Sequence, residues 1–144
     1  MGTISKNFSY SEFEHTDQRL SSTTANVIRT VAVRDAVGAL VLEVLQPLRD
    51  AWGKPLHVNS GYRCPELNRL VGGVPTSQHV KGEAADIASK QPAKLAQMAY
   101  DLDLPFDQMI IYPTFVHFSH RLDGGQRGQI LYNRRYKGKK IDAK

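Results

Sequence analysis

The ten residues from Ser77 to Asp86 constrain this chain more than any other segment, because they combine two residue types that bind metal ions. They read SQHVKGEAAD, with His79 and Asp86 seven residues apart on either side of Gly82, and Asp86 lies in an apolar, strand-like run. Zinc binds imidazole nitrogen and carboxylate oxygen, and a catalytic zinc typically takes three protein ligands. The segment therefore predicts two of the three ligands of a zinc site.

A third ligand is available in the run FVHFSH at 115–120, whose alternating residue types indicate a strand. Successive side chains of a strand point to opposite faces, so His117 and His120 project from opposite sides. The two histidines therefore cannot bind the same metal ion, and the alternation alone does not choose between them.

Hydrophobic periodicity and turn residues predict interspersed helices and strands. Apolar positions recur at intervals of three and four from about Thr23 to Trp52, which predicts two amphipathic helices with a bend near Pro47. Further helices are predicted at 65–71 and 92–101, and strands at 56–60, 83–88, 108–112 and 115–119, the last two forming a hairpin. Because no clean βαβ unit is present, we expect an α+β domain with a small antiparallel sheet and helices packed on it.

Length and composition indicate one domain over residues 1–144, since 144 residues with 41% hydrophobic content can bury a core. No apolar stretch approaches the roughly 20 residues of a membrane-spanning helix. The first residues also lack the apolar centre of a signal peptide. We therefore expect a monomer that is cytoplasmic as synthesised and has no membrane span. The single cysteine, Cys64, excludes an internal disulfide and is expected to be buried.

The net charge of +5 comes entirely from the C-terminal segment, residues 121–144, which carries 8 basic and 2 acidic side chains. Residues 1–120 carry 11 basic and 12 acidic side chains. Such a segment can bind nucleic acid or an anionic wall polymer, or it can be a solvated tail. The segment contains no recognisable nucleic-acid motif. We therefore favour a solvated tail and expect no nucleic-acid partner.

The segment from Ser77 to Asp86 fits the pattern Ser-x-His-x-x-Gly-x-Ala-x-Asp. On this pattern the chain resembles the zinc D-alanyl-D-alanine carboxypeptidases and related phage endolysins. The segments at 60–68, 71–76 and 106–108, and the run that leads to His117, are similar to the short single-domain branch of that family. The resemblance covers about Phe8 to Ser119 and extends distantly to the hedgehog signalling domain. It implies a hedgehog-like and D,D-peptidase-like fold.

The resemblance also implies a ligand set, in which His79, Asp86 and His117 hold one zinc ion (Zn²⁺) per chain. His117 takes the place of the family's strand histidine. For His120 a surface position, or a role behind the ligands, is then expected.

Two further residues acquire expected roles from the resemblance. An arginine after the Ser-Gly-Tyr turn, here Arg63, lies beside the metal in the family and steadies negative charge on the substrate, because its fork donates to two oxygens at once. The alternative is a surface arginine paired with Glu66. Ser77 either binds the substrate backbone or caps the metal loop, and the sequence does not separate these roles.

The general base is the point at which the sequence departs from the family. Many relatives carry an acidic residue three positions before the strand histidine, where this chain has Thr114. Asp107 is not a replacement, because a two-residue hairpin places it across from His120. Tyr112 falls on the face of His117, so its phenol is the candidate catalytic group that assists the oxyanion or the leaving group.

The resemblance therefore implies a zinc metallopeptidase (a hydrolase) that cuts the stem peptides or cross-links of bacterial peptidoglycan, with carboxypeptidase or endopeptidase action of D,D or L,D type. The lack of an export signal fits a phage or prophage endolysin that degrades the cell wall. The alternative is a catalytically weak or inactive zinc-binding recognition module, which the departure at Thr114 favours.

Overall fold

The computed structural model describes residues 2–143. Its α-helices are α1 (Tyr10–Glu14), α2 (Val31–Leu40), α3 (Gln46–Trp52), α4 (Pro65–Leu70) and α5 (Pro92–Asp101). Its strands are β1 (Thr3–Ser5), β2 (Phe8–Ser9), β3 (Val58–Ser60), β4 (Ala84–Ala88), β5 (Gln108–Ile111), β6 (Phe115–Ser119) and β7 (Gln129–Tyr132). None of the helices within these residues has the length and apolar character needed to cross a membrane.

A five-stranded sheet organises the domain, with the strand order β3-β4-β6-β5-β7. Strands β3, β4, β6 and β5 pair antiparallel in that order, and β7 pairs with β5 in parallel. The predicted α+β class is confirmed, and so is the hairpin, in which Ile111 lies opposite Val116. The parallel edge strand was not predicted.

The segment predicted as two helices from Thr23 to Trp52 begins later than expected. Helix α2 starts at Val31, and Thr30 caps it by accepting a hydrogen bond from the Val33 amide. The stretch before it is not helical because its polar groups bond to other segments. The Asn26 amide, for example, donates to the carbonyl of Glu14 at 2.9 Å. Tertiary hydrogen bonds therefore override the helical periodicity of residues 23–30.

The chain departs from regular α-helical geometry just before Pro47. A π-helical segment, Val41–Leu45, joins α2 to α3, and the amide of Gln46 bonds to the carbonyl of Val41, five residues back. Pro47 has no amide hydrogen to donate, so the regular pattern would be broken at this turn in any case. A widened turn is a common way to absorb such an interruption.

One face of the sheet carries the hydrophobic core and the other carries polar groups. On the core face, side chains from three adjacent strands are fully buried. They lie in one hydrophobic cluster with α5 and with the long helix, which consists of α2, the π-helical segment and α3. The buried strand residues are Ala85, Ile87, Val116, Phe118, Met109 and Ile111. Alternation then places Asp86, His117 and Ile110 on the opposite face. The fold therefore presents a row of neighbouring strand positions on the side away from the core.

The expectation that the basic segment from about residue 121 is a solvated tail is wrong for its middle part, residues 129–132. Strand β7 completes the sheet, and Ile130 and Tyr132 pack against the core. Beyond the strand, the Ile141 amide donates to the Tyr132 hydroxyl at 2.9 Å. Charge counts did not reveal this, because alternate residues of an edge strand can remain exposed while the others pack.

Candidate metal centre

Three side chains converge on the polar face of the sheet. Asp86 on β4 lies directly opposite His117 on β6, and His79 enters from the preceding loop. The Asp86 Oδ1 atom is 2.9 Å from His117 Nδ1 and 3.3 Å from His79 Nε2. One possible ligand atom from each residue lies within 4.8 Å of the other two. The structure thus brings together the three residues that the sequence singled out as metal ligands.

The loop that carries His79 is held in a compact turn. The Ser77 hydroxyl accepts a hydrogen bond from the His79 amide at 3.2 Å, which caps the turn. Gly82 has a φ of 77°, and a Cβ atom there would lie 2.7 Å from the Val33 carbonyl oxygen. Both the left-handed backbone and the close approach of α2 require glycine at this position. The motif glycine therefore sets the path of the chain between the two ligands.

The orientation of His79 is set by a backbone carbonyl. Its Nδ1 lies 2.7 Å from the Gly61 carbonyl oxygen, which can only accept a hydrogen bond. Nδ1 therefore donates to this carbonyl, and Nε2 lies on the side of Asp86. Metal-binding histidines are typically oriented in this way. Gly61 must itself be glycine, because a Cβ atom there would lie 2.7 Å from Phe13 Cα.

The donor set fits zinc in its chemistry. Two imidazoles and one carboxylate are ordinary ligands for this metal, and three protein ligands are typical of a catalytic site. Burial by itself raises the pKa of the Asp86 carboxyl, but the hydrogen bonds with His117 and His79 outweigh burial and lower this pKa. The carboxylate is therefore in the ionised form that a metal requires.

Arg63 lies beside the cluster. Its guanidinium is 3.7 Å from Asp86 Oδ2, and it also donates to the Asn68 side chain at 3.2 Å. The alternative pairing with Glu66 is not formed, because that carboxylate accepts hydrogen bonds from Ser21 instead. Burial lowers the pKa of Arg63 and the charge of Asp86 opposes this shift. A guanidinium stays protonated under these conditions.

A cavity of about 440 Å³ opens above the three side chains, and Arg63, Ser77 and Tyr112 are among the residues that line it. The Tyr112 ring stacks on Phe115 with the ring centroids 4.1 Å apart. Burial raises the pKa of its phenol, and the nearby Asp86 charge raises it further. The hydroxyl therefore remains protonated at neutral pH and can donate a hydrogen bond into the cavity.

No free carboxylate faces this cavity among the described residues that line it, because Asp86 is the only acidic one. Thr114, at the family's acidic position, is an exposed residue of the β5–β6 turn and does not line the cavity. His120 is 9% exposed and does not belong to the metal-binding cluster, so of the two positions expected for it the surface one is excluded.

Asp107 belongs to an interaction that sequence reasoning missed. It is fully buried, and its carboxylate binds the Arg127 side chain with a shortest distance of 2.7 Å. Its Oδ2 also accepts a hydrogen bond from Gln78, next to His79, at 3.1 Å. Arg127 and Gln78 both line the cavity. The hairpin register indicated where Asp107 lies, but nothing local in the sequence connects it to a residue 20 positions later.

Comparisons with known proteins agree with this geometry. A sequence profile of the family described as Peptidase M15 matches residues 6–119. The zinc D-Ala-D-Ala carboxypeptidase of Streptomyces albus G is 34% identical over 84 residues, which are 58% of this chain and 31% of that protein. The match therefore spans about a third of the length of that curated relative.

Proposed function

The chain belongs to the peptidase M15 family, and from this premise we propose that it is a zinc metallopeptidase that hydrolyses peptide bonds of bacterial peptidoglycan next to a D-amino acid. The main support is the convergence of His79, Asp86 and His117 at the floor of one cavity. The name of the Streptomyces relative supports both the metal and the class of bond.

Each residue of the site has a proposed role that follows from its contacts. His79, Asp86 and His117 hold one zinc ion, which would polarise the scissile carbonyl and activate water at neutral pH. Arg63 stabilises negative charge that develops on the carbonyl oxygen, since its guanidinium is fixed beside Asp86.

Two neutral groups complete the proposed site. Tyr112 donates a hydrogen bond or proton to the oxyanion or the leaving amine, because its raised pKa keeps the phenol protonated. Ser77 caps the metal loop through its hydroxyl. It lines the cavity as well, so it is also a candidate to bind the substrate backbone.

The test is hydrolysis of purified peptidoglycan and of short stem peptides, with the products identified by mass spectrometry. We expect cleavage that a chelator abolishes and added zinc restores. The mass of the products would distinguish D,D from L,D cleavage, and endopeptidase from carboxypeptidase action. Cleavage that persists in full after the metal has been removed would contradict the proposal.

Metal content provides a second, independent measurement. We expect His79→Ala, Asp86→Ala and His117→Ala each to lose most of the bound zinc in elemental analysis, because each removes one of three ligands. His120→Ala is the matched control, since His120 is a buried histidine nearby that lies outside the cluster. Zinc retained by His117→Ala, or lost from His120→Ala, would show that the wrong face of the strand was chosen.

A second candidate function is a zinc-binding recognition module without hydrolytic activity. It is favoured by one observation, namely that the described residues lining the cavity include no carboxylate other than Asp86. A folded, zinc-loaded protein that binds stem peptides but cleaves none of them would support this candidate over the peptidase.

A further inference from the structure

Arg127, at the cavity wall, is held by three hydrogen bonds to one carboxylate, that of Asp107. Its Nε donates to Asp107 Oδ1 at 3.0 Å, its Nη2 donates to Oδ2 at 2.7 Å, and its backbone amide donates to Oδ1 at 2.9 Å. The side chain is nevertheless 51% exposed, whereas Asp107 is completely buried. The carboxylate thus lies behind the guanidinium, and the cation faces the solvent side.

The anchoring oxygens have no capacity left for another ligand. Asp107 accepts three hydrogen bonds from Arg127 and one from Gln78, which accounts for about four lone-pair sites on an ionised carboxylate. An incoming group therefore meets hydrogen-bond donors at this point and no free acceptor. Gln78 also ties the pair to the loop that carries His79, so the position of Arg127 is fixed relative to the metal cluster.

Arg127 retains donors of its own. A guanidinium has five N–H groups, and Asp107 uses the one on Nε and one of the two on Nη2. The remaining three, including both on Nη1, have no hydrogen-bond partner among residues 2–143. A planar cation held in place with free donors is prepared to bind a carboxylate without a large loss of side-chain entropy.

The other cavity arginine is less available for this task. Arg63 is engaged with Asp86, Ser60 and Asn68. Its contact with Asp86 fixes it beside the metal cluster, where the scissile carbonyl is expected. A second negative group of a substrate in the same cavity therefore has Arg127 as its available partner.

From these contacts we propose that Arg127 binds the C-terminal carboxylate of a peptide substrate and so directs the site toward the last peptide bond of a chain. The inference rests on the proposed function, because it takes the cavity to be a peptide-binding site. It goes beyond the family comparison, since Arg127 lies outside the matched residues 6–119.

The test compares two probes that differ only at the carboxylate: N-acetyl-D-Ala-D-Ala with a free C-terminus, and the same peptide as its C-terminal amide. Calorimetric titration of the wild-type protein should show tighter binding of the free acid, by about tenfold to a hundredfold, as expected for a charge-assisted hydrogen bond. In Arg127→Gln this preference should disappear, and the affinity for the amide should change little.

Two further variants keep the result interpretable. Arg121→Gln is the matched control, because Arg121 is a half-exposed arginine of the same segment that pairs with Asp123 and does not line the cavity. It should retain the full preference for the free acid. Arg127→Gln leaves the buried Asp107 carboxylate unpaired and could fail to fold for that reason. The double variant Asp107→Asn with Arg127→Gln has no such carboxylate, and it should also lose the preference for the free acid.

Equal binding of acid and amide by the wild type, or a preference that survives loss of Arg127, would overturn the inference. Measuring hydrolysis of both probes separates this failure from that of the proposed function. A wild type that cleaves acid and amide equally well remains a peptidase without carboxylate recognition by Arg127. A wild type that prefers to bind the acid through Arg127, yet cleaves neither the probes nor peptidoglycan and its stem peptides, supports the inference and contradicts the peptidase.

Discussion

At the scale of single residues, the candidate metal ligands and the candidate group for proton transfer are different residues of the cavity lining. His79 and His117 are placed by a backbone carbonyl and by strand pairing, respectively, and both contact Asp86. The candidate group for proton transfer is the Tyr112 phenol, which lines the cavity, whereas Thr114 is exposed in a turn. Substitution at these two positions therefore tests how the site works.

We expect Tyr112→Phe to lower the turnover of a stem peptide by about 10²-fold or more, as is typical when a general acid is lost, while zinc content is unchanged. Phenylalanine keeps the ring that stacks on Phe115, so the fold should be retained. Thr114→Glu is the companion variant and should leave turnover unchanged, because its side chain does not line the cavity. Steady-state kinetics with elemental analysis would check both. A large gain in Thr114→Glu would place the missing base at that position instead.

At the scale of elements, β7 connects the C-terminal segment to the site. It pairs with β5 from Gln108 to Ile111, and the segment before it supplies Arg127 to the buried Asp107. An edge strand that satisfies backbone groups and covers apolar side chains contributes to stability as any other strand does.

Truncation from Asp123 onward should therefore lower the thermal unfolding temperature substantially or prevent folding, which circular dichroism would detect. The loss would remove the parallel partner of β5 and leave the Asp107 carboxylate without its cation. The matched control is Lys137→Gln combined with Lys139→Gln, which removes charge from exposed positions and leaves the strand intact. This double variant should have wild-type stability but should adsorb more weakly to cell walls, with a difference that decreases as the salt concentration rises. A truncated protein with wild-type stability would restore the solvated-tail interpretation.

At the scale of the whole molecule, the ion pair between the buried Asp107 and the half-exposed Arg127 makes stability depend on acid pH. Hydrogen bonds from Arg127 lower the pKa of Asp107 to about 2, against the opposing effect of burial. Because the folded-state pKa lies below the unfolded one of about 3.9, the pair contributes stability that is complete above about pH 4 and is lost as the pH falls toward 2.

We expect the free energy of unfolding of the wild type to fall by about 2 kcal/mol more than that of Asp107→Asn between pH 5 and pH 2. Denaturant titrations with a chelator present would measure this difference without a contribution from metal release. Parallel pH profiles for the two proteins would show that the pair is not coupled to folding.

Local sequence was sufficient for the parts of this protein that depend on neighbours along the chain. The periodicity of α5, the hairpin across residues 113–114 and the motif from Ser77 to Asp86 are local patterns, and the structure places them where they were predicted. The motif glycine also follows from local geometry, since Gly82 has a left-handed backbone.

Only the tertiary structure decided how distant segments meet. The pairing of β7 with β5, the anchoring of Arg127 by Asp107 and the hydrogen bond from His79 to the Gly61 carbonyl each join residues from 18 to 21 positions apart. The non-helical conformation of residues 23–30, which were predicted to be helical, has the same origin, because the Asn26 side chain donates to the carbonyls of Glu14 and Tyr62. Periodicity reports which face of an element is apolar, but strand order and chain reversals determine which polar groups face one another. The sequence alone therefore supplied the candidate metal ligands, and the fold supplied the cavity wall that would select a substrate.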